Sequence, residues 1–357
     1  MKHITFFDTE VEPASKKITD IGCITDNGDI FHSNSIKRFY SILKNSEFLC
    51  GHNIINHDLK YLKNSFHGLD LNSLKIIDTL YLSPLLFPKR PYHRLVKDDK
   101  LLSDDFNNPV NDSKKVRDLF FDEVTAFNSL DNSLRTIFYS LLHSEKEFKD
   151  FFHYISFFNG KQTDLLLFIK DYFKNEICSN VRLDPIITEY PIELAYCLSL
   201  IYSACRFSIT PPWLLQNFPE IDRILFLLRD NPCSCGCSYC KKALDPVIGI
   251  KKYFGFHSFR TYDGEPLQEN AVKAALENKS LLAIFPTGGG KSVTFQIPAL
   301  MAGENSKGLT VVISPLQSLM KDQVDNLEKI GNTESVTING LLDPIERCKS
   351  FERVENG

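Results

Sequence analysis

The sequence predicts an α/β protein in several parts: a mixed-sheet domain at 1–125, a helical middle domain at 126–232, a cysteine-rich turn at 233–245 and an incomplete second α/β domain at 246–357. Three observations predict this organisation. Short apolar runs alternate with amphipathic segments near the N-terminus. Long Phe- and Leu-rich stretches with helical periodicity follow them. A glycine-rich loop then opens a further alternating region.

Composition limits the class of protein. A length of 357 residues with 43% hydrophobic content is enough for two or three packed domains. No apolar run reaches the roughly 18 residues of a membrane span, and the N-terminus lacks an apolar export segment, so we expect an intracellular, cytoplasmic protein. The net charge of −4 neither supports nor excludes a nucleic-acid partner. Six of the ten cysteines are scattered in apolar stretches, as in a reducing compartment: Cys23, Cys50, Cys178, Cys197, Cys205 and Cys348.

The first elements follow from apolar periodicity. Three short apolar runs predict strands, at 4–7, 21–25 and 30–32. The spacing of the next apolar residues predicts one helix face, formed by Ile36, Phe39, Tyr40 and Leu43.

The middle of the chain changes character between about residues 120 and 229. Its long stretches include TIFYSLLHSEKEFKDFFHYISFF and ELAYCLSLIYSACRF, whose apolar residues recur at helical spacing. Pro191, Pro211 and Pro212 are plausible helix starts or breaks. We therefore predict an all-helical middle domain, which ends at the cysteine-rich turn and Pro246.

Four N-terminal acids are candidate metal ligands. Asp8 and Glu10 sit two apart at the end of an apolar strand and so face the same side. Asp58 and Asp112 each stand at the start of a predicted helix. A single acid at such a position is more often a helix cap, but four could converge to hold two Mg²⁺ or Mn²⁺ ions for phosphodiester chemistry.

The order of these motifs, FFDTE, then HNIINHD, then a further Asp, resembles the DEDD family of 3′–5′ exonucleases. The resemblance spans roughly residues 1–125 and includes KITDIGCI and IIDTLYL. It implies an RNase H-like fold and removal of nucleoside monophosphates from DNA ends. It also implies that two metal ions are bound by Asp8, which bridges them, and by Glu10, Asp58 and Asp112.

The general base departs from this family pattern. The histidine-type branch has a His five residues before the last Asp, where this chain has Asn107, and the tyrosine-type branch has a Tyr four before, where it has Asn108. His93 is a replacement base if its loop folds over the site, or else an exposed loop residue. The surrounding basic residues either hold a single strand, with one base stacked on Tyr92, or form a solvated loop: Lys89, Arg90, Arg94, Lys97 and Lys100.

The segment CSCGCSYC predicts a zinc site built from Cys233, Cys235, Cys237 and Cys240. Four ligands from one short segment would need an unusually tight loop, so three of them with an outside ligand is an easier arrangement. The alternative is a redox-sensitive or chance cysteine-rich turn. We expect near-stoichiometric zinc in the purified chain.

The segment FPTGGGKS, at 285–292, predicts a phosphate-binding loop at a helix start, with Lys291 reaching the phosphates and Ser292 holding Mg²⁺. With YFGFHSFR, PLQENAVKAAL and VVISPLQSLMKDQVDNL, it resembles RecQ helicases over 250–357. The resemblance implies a RecA-like domain, adenine contact by Gln268, and single-stranded DNA near 314–324. It implies ATP binding by Thr287, Gly288, Gly289, Gly290, Lys291 and Ser292.

Three features qualify the helicase resemblance. The inserted TYDGEP lengthens the spacing before Gln268. The run Val311–Ser314 is expected to be a buried parallel strand followed by a helix, whatever its function. No DEAH-type motif, second RecA-like domain or arginine finger follows, so we expect coupled ATP hydrolysis and strand separation to be absent from this chain alone and the chain to be a fragment of a longer fusion.

Together these features predict a metal-dependent 3′–5′ exonuclease joined to the start of a RecQ-type DNA helicase, with a role in DNA repair or recombination. Its partners would be DNA ends or single strands, with Mg²⁺ or Mn²⁺, ATP and zinc as ligands. The alternative is a non-catalytic fragment that binds nucleic acid and ATP.

Overall fold

The computed structural model describes residues 2–65, 74–90, 93, 95, 108–158, 164–203, 210 and 212–356. The chain forms two compact units, Met1–Leu165 and Leu166–Gly357. This division falls inside the predicted helical domain, so the first part of that domain packs with the N-terminal sheet. The predicted boundaries at 125 and 232 stay predictions. None of the helices in the described ranges has both the length and the apolar character needed to cross a bilayer.

The first unit is built on a mixed five-stranded sheet. Its strands are β1 (Ile4–Val11), β2 (Ile18–Thr25), β3 (Ile30–His32), β4 (Phe48–Gly51) and β5 (Lys75–Asp78), in the order β3-β2-β1-β4-β5. β2 is antiparallel to both β1 and β3, whereas β4 and β5 run parallel to β1. The three strands predicted from apolar runs are therefore confirmed, and β1 and β2 are longer than predicted.

The helices of the first unit cover this sheet. Phe7 on β1 and Phe39 on the first helix, both fully buried, pack with ring centroids 5.2 Å apart, so the predicted helix face is the one that meets the sheet. The described helices are α1 (Ile36–Leu43), α2 (Asp58–Ser65), α3 (Thr79–Leu86), α4 (Pro109–Ser129), α5 (Asn132–Leu142) and α6 (Lys149–Ile155).

Aromatic packing attaches α6 to α4 and to the sheet. Phe127 of α4 meets Phe151 of α6 edge to face at 5.6 Å, and Phe120 meets Tyr154 at 4.9 Å. The buried carboxylate of Asp150 accepts a hydrogen bond from the backbone N–H of Ile76 on β5 at 2.9 Å. The Phe-rich stretch that predicted a separate helical domain thus contributes to the core beneath the sheet.

In the described residues of the second unit, the regular elements are helices joined by loops, together with one bridge between Tyr262 and Glu265. Pro191, Pro212 and Pro246 are the first residues of their helices, as their fixed backbone geometry favours. The helices are α7 (Leu165–Tyr172), α8 (Leu183–Glu189), α9 (Pro191–Tyr202), α10 (Pro212–Asn217), α11 (Glu220–Arg229), α12 (Ser238–Ala243), α13 (Pro246–Phe254), α14 (Leu267–Leu276), α15 (Lys291–Ser306), α16 (Gln317–Lys329) and α17 (Pro344–Asn356).

The prediction that Val311–Ser314 forms a buried parallel strand is wrong. Ile313 is 91% exposed and Leu282, in the preceding apolar run, is 87% exposed. A parallel strand is buried only when neighbouring strands and helices cover it, and the described residues of this unit provide no strand beside either run. The helix expected after this run is present as α16.

Glu123 on α4 is a buried acid within the first unit. It is fully inaccessible, and neither carboxylate oxygen has a hydrogen-bond partner among the described residues. Burial raises the pKa of Glu123 well above its usual value, and the charge of Asp78 raises it further. Because the folded state disfavours the ionised form, the contribution of Glu123 to stability decreases as the pH rises from about 4.5 through the raised pKa.

We predict that Glu123→Gln, which cannot ionise, flattens this loss of stability. Between pH 5 and pH 8 the first unit of the variant should lose less stability than that of the wild type, because the variant has no carboxyl group to ionise at this buried position. Urea unfolding followed by circular dichroism at pH 5 and pH 8 measures the effect. Fluorescence of Trp213, the single tryptophan, reports on the second unit as an internal reference.

The matched control is Asp122→Asn, the same chemical change at the exposed neighbouring position. It should leave the pH dependence close to that of the wild type. Equal pH dependence in Glu123→Gln and the wild type would contradict the destabilising ionisation of Glu123.

Candidate functional site

Three carboxylates meet at one end of the sheet in the first unit. Asp8 and Glu10 alternate with Thr9 on β1, so their side chains point to the same face. Asp112, in the first turn of α4, joins them, and ligand oxygens of the three residues lie within 4.8 Å of one another. The structure therefore brings together three of the four acids that the sequence predicts as metal ligands.

Gly22 on β2 determines how closely α4 approaches this group. It lies opposite Asp8 in the antiparallel register, and a Cβ added to it would lie 2.3 Å from the carbonyl carbon of Pro109. The hydroxyl of Ser113 donates to the carbonyl oxygens of Gly22 at 2.9 Å and Pro109 at 2.6 Å. This backbone contact places Asp112 beside Asp8, and the sequence analysis did not identify the role of the glycine.

Asn108 caps the helix that carries Asp112. Its side-chain oxygen accepts a hydrogen bond from the backbone N–H of Val110 at 3.0 Å, and Pro109 occupies the first helical position. Residue 108, at which the tyrosine-type exonucleases have their Tyr, is therefore a helix N-cap in this chain. Asn107, together with Tyr92, Arg94, Lys97 and Lys100, lies outside the described residues.

Asp58, the fourth predicted ligand, is held against β1 and lies outside the group of three. Its Oδ1 accepts hydrogen bonds from the backbone N–H of Thr9 at 3.1 Å and from the Thr9 hydroxyl at 2.5 Å. The pairing of β1 with β4 extends only to Phe6 and Cys50, which leaves this edge of β1 open for a side chain. Asp58 begins α2, as predicted, and lies next to the strand between Asp8 and Glu10.

His57 is a neighbour of the carboxylates to which the sequence analysis assigned no role. Its Nδ1 lies 3.7 Å from Oδ1 of Asp58, and its ring packs edge to face on Tyr61 at 5.0 Å. The interaction with Asp58 raises the pKa of His57, and the charge of Glu10 contributes in the same direction. Its position in HNIINHD, directly before Asp58, was the available signal.

His93 does not lie in an exposed loop, so that alternative is wrong. It is buried, and its Nδ1 lies 3.0 Å from the hydroxyl of Ser83 on α3. Burial and the nearby Arg90 and His52 lower the pKa of His93 to about 4, so it is neutral at pH 7 and a weak proton acceptor there. Its assignment as general base stays a prediction.

Two of the basic residues predicted to hold a single strand, Lys89 and Arg90, are exposed, and Arg90 stacks on the ring of Phe87 at 4.0 Å.

The electrostatics of the carboxylate group favour a divalent cation. Two unit charges within 4.8 Å of each other repel by about 3.5 kcal/mol or more at an effective dielectric constant of about 20, and the group contains three such pairs. Lys115 offsets part of this charge, with its Nζ 3.7 Å from Oδ1 of Asp112. Oxygen donors suit Mg²⁺ and Mn²⁺, so the residues present fit the expected metals.

The glycine-rich loop of the second unit has the backbone geometry expected of a phosphate-binding loop. Gly288 and Gly290 have φ angles of +73° and +68°, in the left-handed region that glycine adopts without strain. A Cβ on Gly289 would lie 2.8 Å from the carbonyl oxygen of Pro286. The loop leads directly into the N-terminus of α15, where backbone N–H groups and the helix dipole favour an anion.

Three side chains bind three successive carbonyl oxygens of this loop. Arg260 donates to the oxygen of residue 288 at 3.0 Å, the Tyr262 hydroxyl to that of residue 289, and Gln268 to that of residue 290 at 2.9 Å. The loop is therefore held in shape by its carbonyl groups. Such preorganisation lowers the conformational cost of binding a nucleotide.

Tyr262 comes from the inserted TYDGEP segment. Tyr262 and Glu265 exchange two backbone hydrogen bonds of 2.9 Å, which makes the insertion a tight turn. The insertion thus places the Tyr262 side chain on the loop, a role that was not predicted from the sequence.

Gln268 is buried, and its Oε1 accepts a hydrogen bond from the backbone N–H of Arg260 at 2.9 Å, so both ends of its side-chain amide bind the protein itself. Its contact with adenine stays a prediction.

The start of α15 carries the other residues that were predicted to bind nucleotide. Thr287 and Lys291 are exposed, and Nζ of Lys291 lies 3.5 Å from the carbonyl oxygen of Phe285. The hydroxyl of Ser292 accepts a hydrogen bond from Gln323 on α16 at 3.1 Å. The lysine and hydroxyl fit ATP with Mg²⁺. Gln323 links this site to the segment 314–324, which was predicted to lie near DNA.

A cysteine from elsewhere in the chain lies against the cysteine-rich turn. The Sγ atoms of Cys178, Cys233, Cys237 and Cys240 all lie within 4.8 Å of one another, whereas Cys235 is exposed and outside this group. A hydrogen bond from the backbone N–H of Cys237 lowers the pKa of Cys233 to about 5, and burial raises the pKa of Cys178 to about 11.

Comparisons with known proteins match the C-terminal part of the chain. The DEAD/DEAH box helicase family model matches residues 265–356. ATP-dependent DNA helicase Q5 of Rattus norvegicus is 48% identical over 107 residues, which are 30% of this chain and 10% of the rat protein. ATP-dependent DNA helicase RecQ of Bacillus subtilis is 51% identical over 83 residues, 23% of this chain and 12% of that protein. No solved structure gives a significant match.

These matches show a DEAD/DEAH helicase domain with RecQ-family homology in the C-terminal part, and they support the RecA-like domain predicted there. The chain spans about a tenth of the length of the rat and B. subtilis relatives. The matches do not show an exonuclease.

We predict that Gly22→Ala weakens metal binding at the carboxylate group. The added methyl group forces the start of α4 away from β2 and separates Asp112 from Asp8, and a displacement of about 1 Å can cost on the order of 100-fold in function. Calorimetric titration with Mn²⁺ should show affinity at least about tenfold lower. Ser113→Ala keeps the close approach and should lose less. Wild-type Mn²⁺ affinity in Gly22→Ala would rule out this positioning role.

We predict that Tyr262→Phe weakens ATP binding about three- to tenfold, because it removes one hydrogen bond to the loop but keeps the ring against Phe285. Lys291→Ala should weaken binding more, about 10- to 100-fold, since it removes charge-assisted bonds. Fluorescence titration with a labelled ATP analogue and Mg²⁺ measures both. Tyr253→Phe, whose hydroxyl binds Glu304, is the matched control and should bind normally. Normal binding by Tyr262→Phe would contradict the role of its hydroxyl.

Proposed function

We propose that this chain combines a metal-dependent 3′–5′ exonuclease with the ATP-binding start of a RecQ-type DNA helicase and acts in DNA repair or recombination. The observation that carries the exonuclease proposal is the convergence of Asp8, Glu10 and Asp112 within 4.8 Å, with buried Asp58 held alongside through Thr9. The mixed sheet beneath the group agrees with the RNase H-like fold that we propose for this unit.

The residues of this group have distinct roles in the proposed hydrolysis. Asp8, Glu10 and Asp112 would hold the divalent ions, which when bound activate the attacking water and stabilise the leaving oxygen of the terminal phosphodiester. Asp58 would complete the acidic environment and, through its bonds to Thr9, keep β1 in place beside α2. The half-exposed imidazole of His57 lies at the edge of the group.

The proposal for the second unit rests on its loop geometry and its helicase homology. The loop carbonyls are held by three side chains, and Lys291 and Ser292 stand at the start of α15. The relatives are named as ATP-dependent DNA helicases. We therefore propose that this unit binds ATP with Mg²⁺ and contributes to contact with DNA.

A second candidate function is a non-catalytic module that binds nucleic acid and ATP. Two observations favour it: Asn108 caps a helix at the position of the base in the tyrosine-type exonucleases, and His93 is buried and neutral. A slow enzyme is also consistent with these observations, because a general base contributes typically 10²–10⁴-fold.

Digestion of DNA labelled at its 5′ end, with Mn²⁺ or Mg²⁺, tests the exonuclease. We expect the wild type to produce a ladder of shortened strands and Asp8→Ala to lose it by about 100-fold or more, since metal binding is removed. A 3′-labelled strand should release labelled mononucleotide at once, which establishes polarity, and a matched RNA strand measures the preference for DNA.

Asp112→Asn and Asp118→Asn provide a matched pair on α4. Asp112 belongs to the carboxylate group, whereas the side chain of Asp118 is 67% exposed and pairs with Arg117. Only Asp112→Asn should abolish the ladder. A wild-type chain that binds labelled DNA but gives no ladder with either metal would refute the exonuclease and favour the binding module.

A further inference from the structure

The four grouped cysteines have the arrangement of a tetrahedral thiolate site. In such a site, zinc–sulfur bonds of about 2.3 Å place the sulfur atoms about 3.8 Å apart. The Sγ atoms of Cys178 and Cys237 lie 3.9 Å apart, and all pairs in the group are within 4.8 Å. We infer that Cys178, Cys233, Cys237 and Cys240 bind one structural zinc ion, and that Cys235 is not a ligand.

The backbone of the turn explains which cysteines face inward. The N–H of Gly236 donates to the carbonyl oxygen of Cys233 at 3.1 Å, and Gly236 has a left-handed φ of +58°. The N–H of Cys237 donates to Sγ of Cys233 at 3.3 Å, the kind of hydrogen bond that orients a metal-binding thiolate. Cys240 follows three residues after Cys237 as α12 begins, so both sulfurs lie on one side.

Cys235 lies at the edge of the group: its Sγ is 3.6 Å from Sγ of Cys233, but it is not among the four sulfur atoms that all lie within 4.8 Å of one another. It is exposed, and its Sγ accepts a hydrogen bond from the side-chain amide of Asn180 at 2.6 Å. Cys178 occupies the fourth position instead. Cys178 and Cys240 are only 3% and 6% exposed and pack with Tyr239 and Leu244. The ligand set therefore closes against a small apolar core.

The proposed ion would join segments that are distant in sequence. The backbone N–H of Cys178 donates a hydrogen bond of 2.8 Å to the carbonyl oxygen of Leu228, near the end of α11. The hydroxyl of Tyr239 donates a hydrogen bond of 2.8 Å to the carbonyl oxygen of Arg229, the last residue of the same helix. At the other end of α12, the carbonyl oxygen of Ala243 accepts a hydrogen bond from Asn305 near the end of α15 at 3.2 Å. Zinc would thus stabilise the connection between the helices that precede the turn and the helix that starts at the nucleotide loop.

The chemistry of the group favours zinc over other occupants. All four cysteines are present as thiols rather than disulfides, and magnesium or calcium does not select thiolates. A four-iron cluster holds its thiolates around a cube and therefore further apart than a single ion does. The inference is independent of the proposed nuclease and helicase functions, because it depends only on these sulfur atoms and the segments that carry them.

Metal analysis of the full chain, purified under reducing conditions, tests the inference. We expect about one zinc per chain by mass spectrometry under native conditions and by elemental analysis. The deciding comparison is Cys178→Ser against Cys235→Ser, the same change at two positions. In chelator competition, zinc affinity should fall on the order of 100-fold or more in Cys178→Ser and stay unchanged in Cys235→Ser.

Two further measurements keep the comparison decisive if Cys178→Ser folds poorly. Cys178→His replaces one zinc ligand by another and should restore binding of one ion. Cobalt exchanged into the wild type and into Cys235→Ser should give the intense visible absorption of a tetrahedral thiolate site. Wild-type protein without zinc, iron in its place, or loss of zinc in Cys235→Ser but not in Cys178→Ser would each overturn the inference.

Discussion

The close contact between α4 and β2 at Gly22 is the constraint on which the candidate nuclease site depends. A side chain on residue 22 would collide with the backbone of Pro109, so the helix can approach the sheet only where glycine stands. Because Gly22 lies opposite Asp8, this approach brings Asp112 to β1. A packing requirement between two backbones thus assembles carboxylates from distant parts of the sequence, and their mutual repulsion favours a cation beside them.

The nucleotide loop is likewise positioned by contacts to its backbone. Its glycines permit left-handed backbone angles, but flexibility alone would leave the loop in many conformations. Arg260, Tyr262 and Gln268 donate hydrogen bonds to three successive carbonyl oxygens of the loop. These bonds select one of the possible loop conformations. Gln323 then connects Ser292 to α16, so groups that would contact nucleotide and DNA share a hydrogen-bond network. In both units, contacts to the backbone position the reactive side chains.

Much of the first unit could be predicted from the sequence because its signals are local. Short apolar runs predicted the first strands, and two-residue spacing placed Asp8 and Glu10 on one face. Long-range contacts were not available in the same way. The burial of His93 depends on packing against α3, and Cys178 joins the cysteine-rich turn only through the fold. Apolar composition at 311–314 suggested burial, but burial requires neighbours that the described residues do not provide.

The sequence by itself determined the residue types for three kinds of chemistry: carboxylates for divalent metals, a glycine-rich loop for phosphate and thiols for zinc. These depend on short spacing rules that local geometry enforces. Only the tertiary structure decided which residues lie together: Asp112 beside Asp8, Tyr262 on the loop, and Cys178 beside Cys233, Cys237 and Cys240. The reason is physical, since a ligand set is defined by distances of a few ångströms, and packing brings those distances about between residues that sequence spacing does not relate.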